Sequence, residues 1–376
     1  MPVYAALLRH GVLCLCASLA LATPLQAADA PNAPSERMLW ARTMGQSGLR
    51  RFYSTGADLG ELINRQVSYQ IANRVEAAAL ARNTAAALPG PGSDVEGFVA
   101  QYDSLIGLDG VSERPFYLRT LARSAKRLEA DKVHSRNDRY DLGALYAPGT
   151  RSYIGLGLGF EQTRVDLKFV SGHTRLHAWG PRVDAGLQLR PWLALGLRAE
   201  DLRFSGDNGL NLRTANGVAR VTRDLDYHRR YLQTESIVRL TRAQLPWLPA
   251  GWQTGGMAAI HYLDTRYQAQ RNSLGQTVVE PFGNHERLGI LRTGLFLQGA
   301  FGAGGTWNPY VELVFDRELD TNMDNPLNTR NSVQLRSGLA RTLGQGHRLS
   351  VEYQHSESSN RLRERDNLIL LMVYDF

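Results

Sequence analysis

The chain has 376 residues, a formal net charge of +7 and a mean hydropathy of −0.30. Beyond the first 27 residues it contains no run of 18 apolar residues, which excludes a membrane-spanning helix from that part of the chain. A mean hydropathy below zero is typical of soluble proteins. A closed barrel whose strands are apolar on one face gives a similar value, so that class stays open.

The N-terminus has the pattern of a secretory signal peptide, which we assign to residues 1–27. Arg9 precedes a short apolar run and a small-residue cleavage pattern that ends at Ala27. Both cysteines, Cys14 and Cys16, lie within this segment, so the exported chain is expected to have no disulfides. Export argues against nucleic acid as a partner. The basic charge then favours anionic lipid headgroups or lipopolysaccharide.

Residues 28–138 are predicted to form a helical N-terminal region. Residues 62–88 contain no glycine or proline, and their apolar residues recur at every fourth position, which indicates an amphipathic helix. A second helix is predicted from Phe116 to Lys132. Its polar side carries Arg119, Arg123, Lys126 and Arg127.

From Arg139 onward the chain changes to short alternating runs separated by turn residues, a pattern typical of β-strands. We place twelve strands at residues 139–147, 152–161, 163–170, 175–190, 193–204, 227–243, 252–269, 286–300, 308–319, 332–342, 347–356 and 366–376. The break near Gln162 rests on a change of phase between Phe160 and Val165, for which a bulge is the alternative. An even total places both ends of a barrel in the periplasm.

The last strand is apolar on one face and ends the chain on an aromatic residue. Leu368, Leu370, Met372, Tyr374 and Phe376 alternate with their neighbours, so they share one face of a strand. Tyr374 and Phe376 resemble the terminal recognition signal of the barrel-assembly machinery of the bacterial outer membrane. We therefore expect that machinery as a partner during biogenesis.

The lengths of the turns and the positions of the tryptophans predict how the barrel is oriented in the membrane. Short turns are expected on the periplasmic side at residues 191–192, 245–251, 302–307 and 344–346, and longer polar loops on the other side at 205–226, 270–285, 320–331 and 357–365. Trp192, Trp247, Trp252 and Trp307 fall at the short turns. Together they predict an interfacial aromatic girdle at that end.

These features predict a mainly β fold, a transmembrane antiparallel up-and-down β-barrel of about twelve strands at residues 139–376. Its central motifs are Leu245-Pro246, Gly251-Trp252, Asp264-Thr265-Arg266-Tyr267, Glu286-Arg287-Leu288-Gly289, Asn308-Pro309-Tyr310-Val311-Glu312 and Glu318-Leu319. With them the chain resembles the translocator (β) domain of autotransporters. The resemblance implies twelve strands, a helix that runs through the pore into the first strand, and a passenger outside. The helix predicted at 116–132 takes the place of that pore-filling linker.

Polar residues of the alternating strands are expected to face the lumen. The predicted pore-lining residues are Arg182, Asp184, Arg190, Arg198, Glu200, Arg239, Arg292, Glu312, Asp316, Arg336 and Glu352. Because they include both charge signs, they predict either a self-paired, closed lumen or a weakly conducting one.

Gly155, Gly157 and Gly159 are predicted on the same inward face. Glycine in a strand often marks the close approach of another backbone, which indicates contact with a helix inside the pore. The alternative is that these glycines only ease the curvature of the barrel.

The sequence predicts no enzyme, no cofactor and no metal site. His173 and His177 are four residues apart, which in a strand separates them by about 13 Å and prevents a shared metal. His355 and Ser356 are residue types that outer-membrane phospholipases use, but their spacing does not match the motif of those enzymes.

Three hypotheses follow for a protein of the bacterial outer membrane. The first is a pore or anchor for the short N-terminal helical segment. The second is a passive diffusion channel, porin-like, with a periplasmic helical gate. The third is a lipid hydrolase that uses His355 and Ser356.

Overall fold

The computed structural model describes residues 95–107, 116–129, 133–149, 151–168, 171–214, 217–278, 283–302, 305–323, 330–343, 347–359 and 364–375. These residues contain no α-helix, and hence none that is long and apolar enough to cross a membrane. Their strands are β1 (Val95–Gly107), β2 (Phe116–Glu129), β3 (Val133–Gly149), β4 (Ser152–Leu167), β5 (Gly172–Arg190), β6 (Leu193–Thr214), β7 (Gly217–Thr241), β8 (Gln253–Tyr267), β9 (Gln270–Arg271), β10 (Thr277–Val278), β11 (His285–Gln298), β12 (Trp307–Thr321), β13 (Asn331–Thr342), β14 (His347–Ser358) and β15 (Glu364–Asp375).

Thirteen of these strands close into one barrel, and β9 and β10 form a separate two-stranded sheet. Consecutive barrel strands pair antiparallel, but β1 and β15 pair parallel, with Val95 opposite Arg365 and Leu105 opposite Asp375. An odd number of alternating strands forces this, because the first and last strands then run in the same direction. The predicted even total of twelve is therefore wrong.

The two ends of the barrel differ. We call the end where β3 connects to β4 and β5 connects to β6 the turn end, and the opposite end, where β6 connects to β7, the extended end. The strands β6 and β7 have 22 and 25 residues. A membrane-crossing strand needs only about ten. The residues 205–226, predicted as a loop, therefore belong largely to these two strands.

Side chains alternate between the outer face and the interior along each strand. In β4, Ile154, Leu156, Leu158 and Phe160 are exposed, whereas the odd-numbered residues between them are buried or half-buried. Neighbouring strands repeat this pattern and form an exposed belt that we call the outer apolar band. It includes Leu142, Ile154, Leu156, Leu158, Leu195, Leu197, Ile260, Leu295, Val311, Leu313, Val333, Leu335, Leu339 and Val351.

The predicted break near Gln162 is wrong, because β4 is continuous. Even-numbered residues of β4 face outward along the whole strand. Near Phe160, however, the outer face changes from apolar to polar, and beyond it the inner face becomes apolar. Beyond Phe160 the outer face carries Gln162 and Arg164, and Val165 and Leu167 pack inside against Val133. The change of phase in the sequence therefore marks the edge of the outer apolar band.

The helix predicted from Phe116 to Lys132 is also wrong, because residues 116–129 form β2. The barrel begins at Val95, within the region predicted to be helical, rather than at Arg139. The two unpredicted strands and the fusion of two predicted ones account for the change from twelve to thirteen. The predicted signal peptide, the helix at 62–88 and Phe376 lie outside the described residues.

Candidate functional site

The interior of the barrel holds a cluster of ion pairs, which we call the charged layer. It consists of five arginines and five carboxylates from β1 to β7, each at most 5 % exposed. They are Asp103, Arg119, Arg139, Asp141, Glu161, Arg182, Asp184, Arg198, Glu200 and Arg229. Equal numbers of the two signs leave the layer formally neutral, as buried charges require.

Asp184 is the centre of the charged layer. Its Oδ2 accepts a hydrogen bond from Arg182 Nε at 2.7 Å, and its Oδ1 accepts one from Arg198 Nε at 2.8 Å. Arg119 Nη1 donates to Oδ2 at 3.2 Å, and Arg119 also interacts electrostatically with Asp103. One carboxylate therefore holds three guanidinium groups.

Several contacts in the layer cross intervening strands. Arg139 on β3 bonds Asp141 at 2.9 Å on its own strand and reaches Glu200 on β6. Arg182 on β5 bonds Asp141. Such contacts cross the interior of the barrel instead of following its wall. Side chains that are three strands apart can meet in this way because the wall curves strongly.

A further contact across the interior joins β7 to β4. Arg229 Nη1 donates to Glu161 Oε1 at 3.2 Å, and the guanidinium lies 4.5 Å from the centre of the Phe204 ring. Asn137 Nδ2 donates to the same Glu161 oxygen at 2.8 Å and to Thr163. The carboxylate of Glu161 is thus held from two sides of the barrel.

A second ladder of ion pairs lies on β11 to β14. Arg292 binds Asp316 through two hydrogen bonds of 2.8 and 2.9 Å. Arg336 lies 3.1 Å from Glu352 and 3.7 Å from Glu312. Bidentate arginine–carboxylate pairs are among the strongest and most directional polar contacts.

Apolar layers lie above and below the charged layer. Towards the turn end, inward residues of nine strands form or pack against one cluster: Leu105, Tyr117, Leu145, Ala147, Tyr153, Ala194, Ile237, Met257, Phe296 and Tyr310. Towards the extended end a second cluster contains Leu176, Ala178, Leu202, Phe204, Leu225 and Tyr227. The ion pairs are thus shielded from water on both sides, which strengthens them.

Nine of the eleven predicted pore-lining residues take part in these ion pairs: Arg182, Asp184, Arg198, Glu200, Arg292, Glu312, Asp316, Arg336 and Glu352. Arg190 is exposed at the turn end of β5. Arg239 lies 5.8 Å from the centre of the Phe296 ring. The structure therefore brings most of the predicted set together in pairs.

Six of the ten residues of the charged layer are outside the predicted pore-lining set: Asp103, Arg119, Arg139, Asp141, Glu161 and Arg229. Arg119 was placed on a helix, Glu161 lay at the supposed break, and Arg139 and Asp141 lay at the supposed start of the barrel. A local signal does exist in three arginine–x–acid triplets, which put both charges on one face of a strand. They are Arg139-Tyr140-Asp141, Arg182-Val183-Asp184 and Arg198-Ala199-Glu200.

Gly155, Gly157 and Gly159 lie on the inner wall, where neighbouring strands fill the space above them. A Cβ atom on Gly159 would lie 3.1 Å from Arg139 Nη2, and one on Gly155 would lie 2.3 Å from the Leu145 side chain. Gly159 thus leaves room for the charged layer. Contact of these glycines with a helix of the preceding chain remains a prediction.

His355 and Ser356 do not form a nucleophile–base pair. His355 is on the outer face of β14, where its Nδ1 lies 3.0 Å from Asp366 Oδ1, whereas the next residue, Ser356, points to the other face. The ligand atoms of His355, Asp366 and Glu364 lie within 4.8 Å of one another. Their contacts with each other make this a hydrogen-bonded group on the surface.

The outer face beyond the apolar band carries ion pairs between neighbouring strands. Asp264 receives hydrogen bonds from His285 Nε2 at 2.6 Å and Arg266 Nε at 3.1 Å. Partial burial alone would raise the pKa of the Asp264 carboxyl, but these two partners together hold it below its ordinary value.

No protein-family model and no curated protein matches this chain. Among solved structures, the β domain of the Bordetella autotransporter BrkA is 19 % identical over 69 % of this chain and 96 % of its own, with a TM-score of 0.46. The translocator domain of the autotransporter NalP from Neisseria meningitidis is 11 % identical over 82 % and 94 %, with a TM-score of 0.49. The monoaromatic hydrocarbon channel CymD is 12 % identical over 71 % and 83 %, with a TM-score of 0.42. The first two of these structures are barrel domains of autotransporters.

Proposed function

We propose that this chain is an integral β-barrel of the bacterial outer membrane, without catalytic activity, that anchors its own N-terminal segment. Its interior is held closed by paired charges, so transport of solutes is not its main role. Its outer face contacts membrane lipid, and the barrel-assembly machinery is its partner during insertion.

The observation that carries this proposal is the polarity of the barrel wall, which is apolar on its outer face and charged on its inner face. The outer apolar band exposes leucine, isoleucine and valine side chains on strands β3 to β8 and β11 to β14, and Leu156 is 66 % exposed. The interior of the same strands holds the charged layer. Water disfavours a continuous exposed apolar belt of this size, whereas lipid favours it. Closure of the barrel leaves no unpaired strand edge, which a bilayer requires.

Aromatic residues indicate a membrane–water interface at the turn end, and its short β3–β4 and β5–β6 turns support an orientation with that end in the periplasm. Trp192 and Trp247 are exposed there, and Trp307 lies at the start of β12. Tyr374 stacks on His347 at the same end, with ring centres 3.8 Å apart. Tryptophan and tyrosine favour the membrane–water interface. The extended end then faces the cell surface.

The direction of β1 supports the anchoring role. Val95 pairs with Arg365 at the extended end, so the preceding chain joins the barrel at that end. The segment before residue 95 is then displayed at the surface. The alternative, a channel with a periplasmic helical gate, needs this segment to return through the lumen to the turn end.

Cysteine labelling on intact cells tests the side on which the segment lies. Outside the predicted signal peptide the chain contains no cysteine, so single substitutions give clean probes. Ser54→Cys is expected to react with a membrane-impermeant maleimide on intact cells, as is Leu274→Cys in the exposed β9–β10 connection. Ala243→Cys, exposed at the turn end, is expected to react only after lysis. Labelling of Ser54→Cys only after lysis would contradict surface display.

Conductance measurements test whether the wall or the preceding chain closes the lumen. Deleting residues 28–94 leaves every described strand in place, so we expect the single-channel conductance in planar bilayers to change little. The reason is that the charged layer belongs to the strands themselves. A sharp rise in conductance after the deletion would instead show that the preceding segment fills the pore.

A further inference from the structure

Four cationic residues stand side by side on the outer face, beyond the outer apolar band. The strand register places Lys126 opposite Arg136, Arg136 opposite Arg164, and Arg164 opposite Arg175. They belong to β2, β3, β4 and β5, and we call them the basic row. Neighbouring strands are about 4.8 Å apart, so the row extends over about 14 Å.

The basic row differs from a row of charges on the strands that follow β5. On β6, β7, β8, β11 and β12 the charges alternate from strand to strand: Asp201, Arg230, Asp264, Arg287 and Asp320. Alternation of this kind stabilises a sheet, whereas like charges directly opposite one another destabilise it. A row of four cations therefore needs another source of compensation.

The protein supplies only part of that compensation. Arg136 lies 2.7 Å from Asp138. Lys126, Arg164 and Arg175 form no ion pair with any residue in the described part of the chain. The nearest carboxylates along the strands and the register are Asp166, two residues beyond Arg164, and Asp207, opposite Arg175.

Asp207 is already engaged, since its Oδ2 lies 2.9 Å from His173 Nε2. The row thus presents several exposed donors on one side of the barrel. Guanidinium groups bind phosphate oxygens in a bidentate manner, so this spacing suits phosphate groups.

An aromatic row lies four residues closer to the turn end on the same strands. Tyr140, Phe160 and Trp179 are directly opposite one another and are 54 %, 43 % and 60 % exposed. Aromatic side chains of this kind mark the level where lipid chains meet headgroups. The basic row is about 13 Å further along the strands, at the level of a sugar-phosphate headgroup.

We propose that the face formed by β2 to β5 binds a phosphorylated glycolipid of the surrounding leaflet, of the lipopolysaccharide class. Its acyl chains lie against the outer apolar band and join the headgroup near the aromatic row, and its phosphorylated sugars lie beyond that row, where their phosphates bind the basic row. This proposal rests on the membrane location proposed above. It adds a particular side of the barrel and a particular lipid chemistry.

The test measures binding of the refolded full chain to phosphatidylcholine vesicles that contain diphosphorylated lipid A. The double variant Arg164→Gln/Arg175→Gln is expected to weaken lipid A binding about a hundredfold, since each of the two lost charged hydrogen bonds is worth about a factor of ten. The matched control Arg203→Gln/Arg230→Gln removes the same charge from side chains that are 57 % and 60 % exposed but paired with Asp226 and Asp201. The control is expected to change binding less than twofold, by about the small contribution of surface ion pairs.

Two further measurements separate the possible failures. The unaltered protein is expected to bind monophosphorylated lipid A more weakly, and inorganic phosphate at equal phosphate concentration is expected not to compete. Equal losses in both double variants, or competition by inorganic phosphate alone, would overturn the glycolipid site. Failure of the unaltered chain to insert into vesicles at all would instead overturn the proposed membrane location.

Discussion

Replacing Asp184 by alanine is expected to lower the free energy of unfolding by about 3–5 kcal/mol, because the change leaves buried arginines without their counter-charge. Asp184 is 4 % exposed and holds Arg119, Arg182 and Arg198. The measurement is guanidinium unfolding of the barrel in lipid vesicles, followed by tryptophan fluorescence.

Two controls make this result specific to the charged layer. Asp224→Ala removes an exposed carboxylate from the outer face of β7 and is expected to change stability by about 0.5 kcal/mol or less. The double variant Asp184→Ala/Arg198→Ala restores charge balance, so it is expected to be more stable than Asp184→Ala alone. A stability for Asp184→Ala that equals that of the unaltered chain would show that water reaches the charged layer.

Replacing Leu156 by arginine is expected to destabilise the membrane-inserted barrel by about 2–4 kcal/mol, the cost of an arginine at the centre of a bilayer. Leu156 lies in the middle of the outer apolar band on β4. The effect is measured by the same unfolding experiment in vesicles.

Gln162→Arg is the matched control, since Gln162 is on the same face of the same strand, six residues further towards the extended end. At that depth an arginine is expected to cost at most about 1 kcal/mol. Equal effects at the two positions would mean that no lipid boundary lies between them, and the membrane placement of the barrel would then be wrong.

The period of two along the strands made the C-terminal two thirds of the fold predictable. Leu368, Leu370, Met372 and Tyr374 do share the outer face of β15, and Ile369 and Val373 are buried inside. Such alternation is a local property, since each residue points opposite to its neighbours whatever the strand pairs with.

The N-terminal strands were missed because their pattern fits two structures. Arg119, Arg123 and Arg127 are spaced by four, which places them on one side of a helix and also on one face of a strand. Alanine and arginine favour the helix. These residues form a strand rather than a helix because β2 pairs with β1 and β3 along its whole length. Local propensity is weaker than a complete set of ladder hydrogen bonds between neighbours.

The amino-acid sequence by itself determined which side chains face outward and which carry charge inward. Only the tertiary structure decided how those charges pair. Arg119 meets Asp184 from three strands away, and Arg229 meets Glu161 across the same number of strands. Such contacts depend on the number of strands and on how they are staggered when the barrel closes, and no local pattern of residues records either quantity.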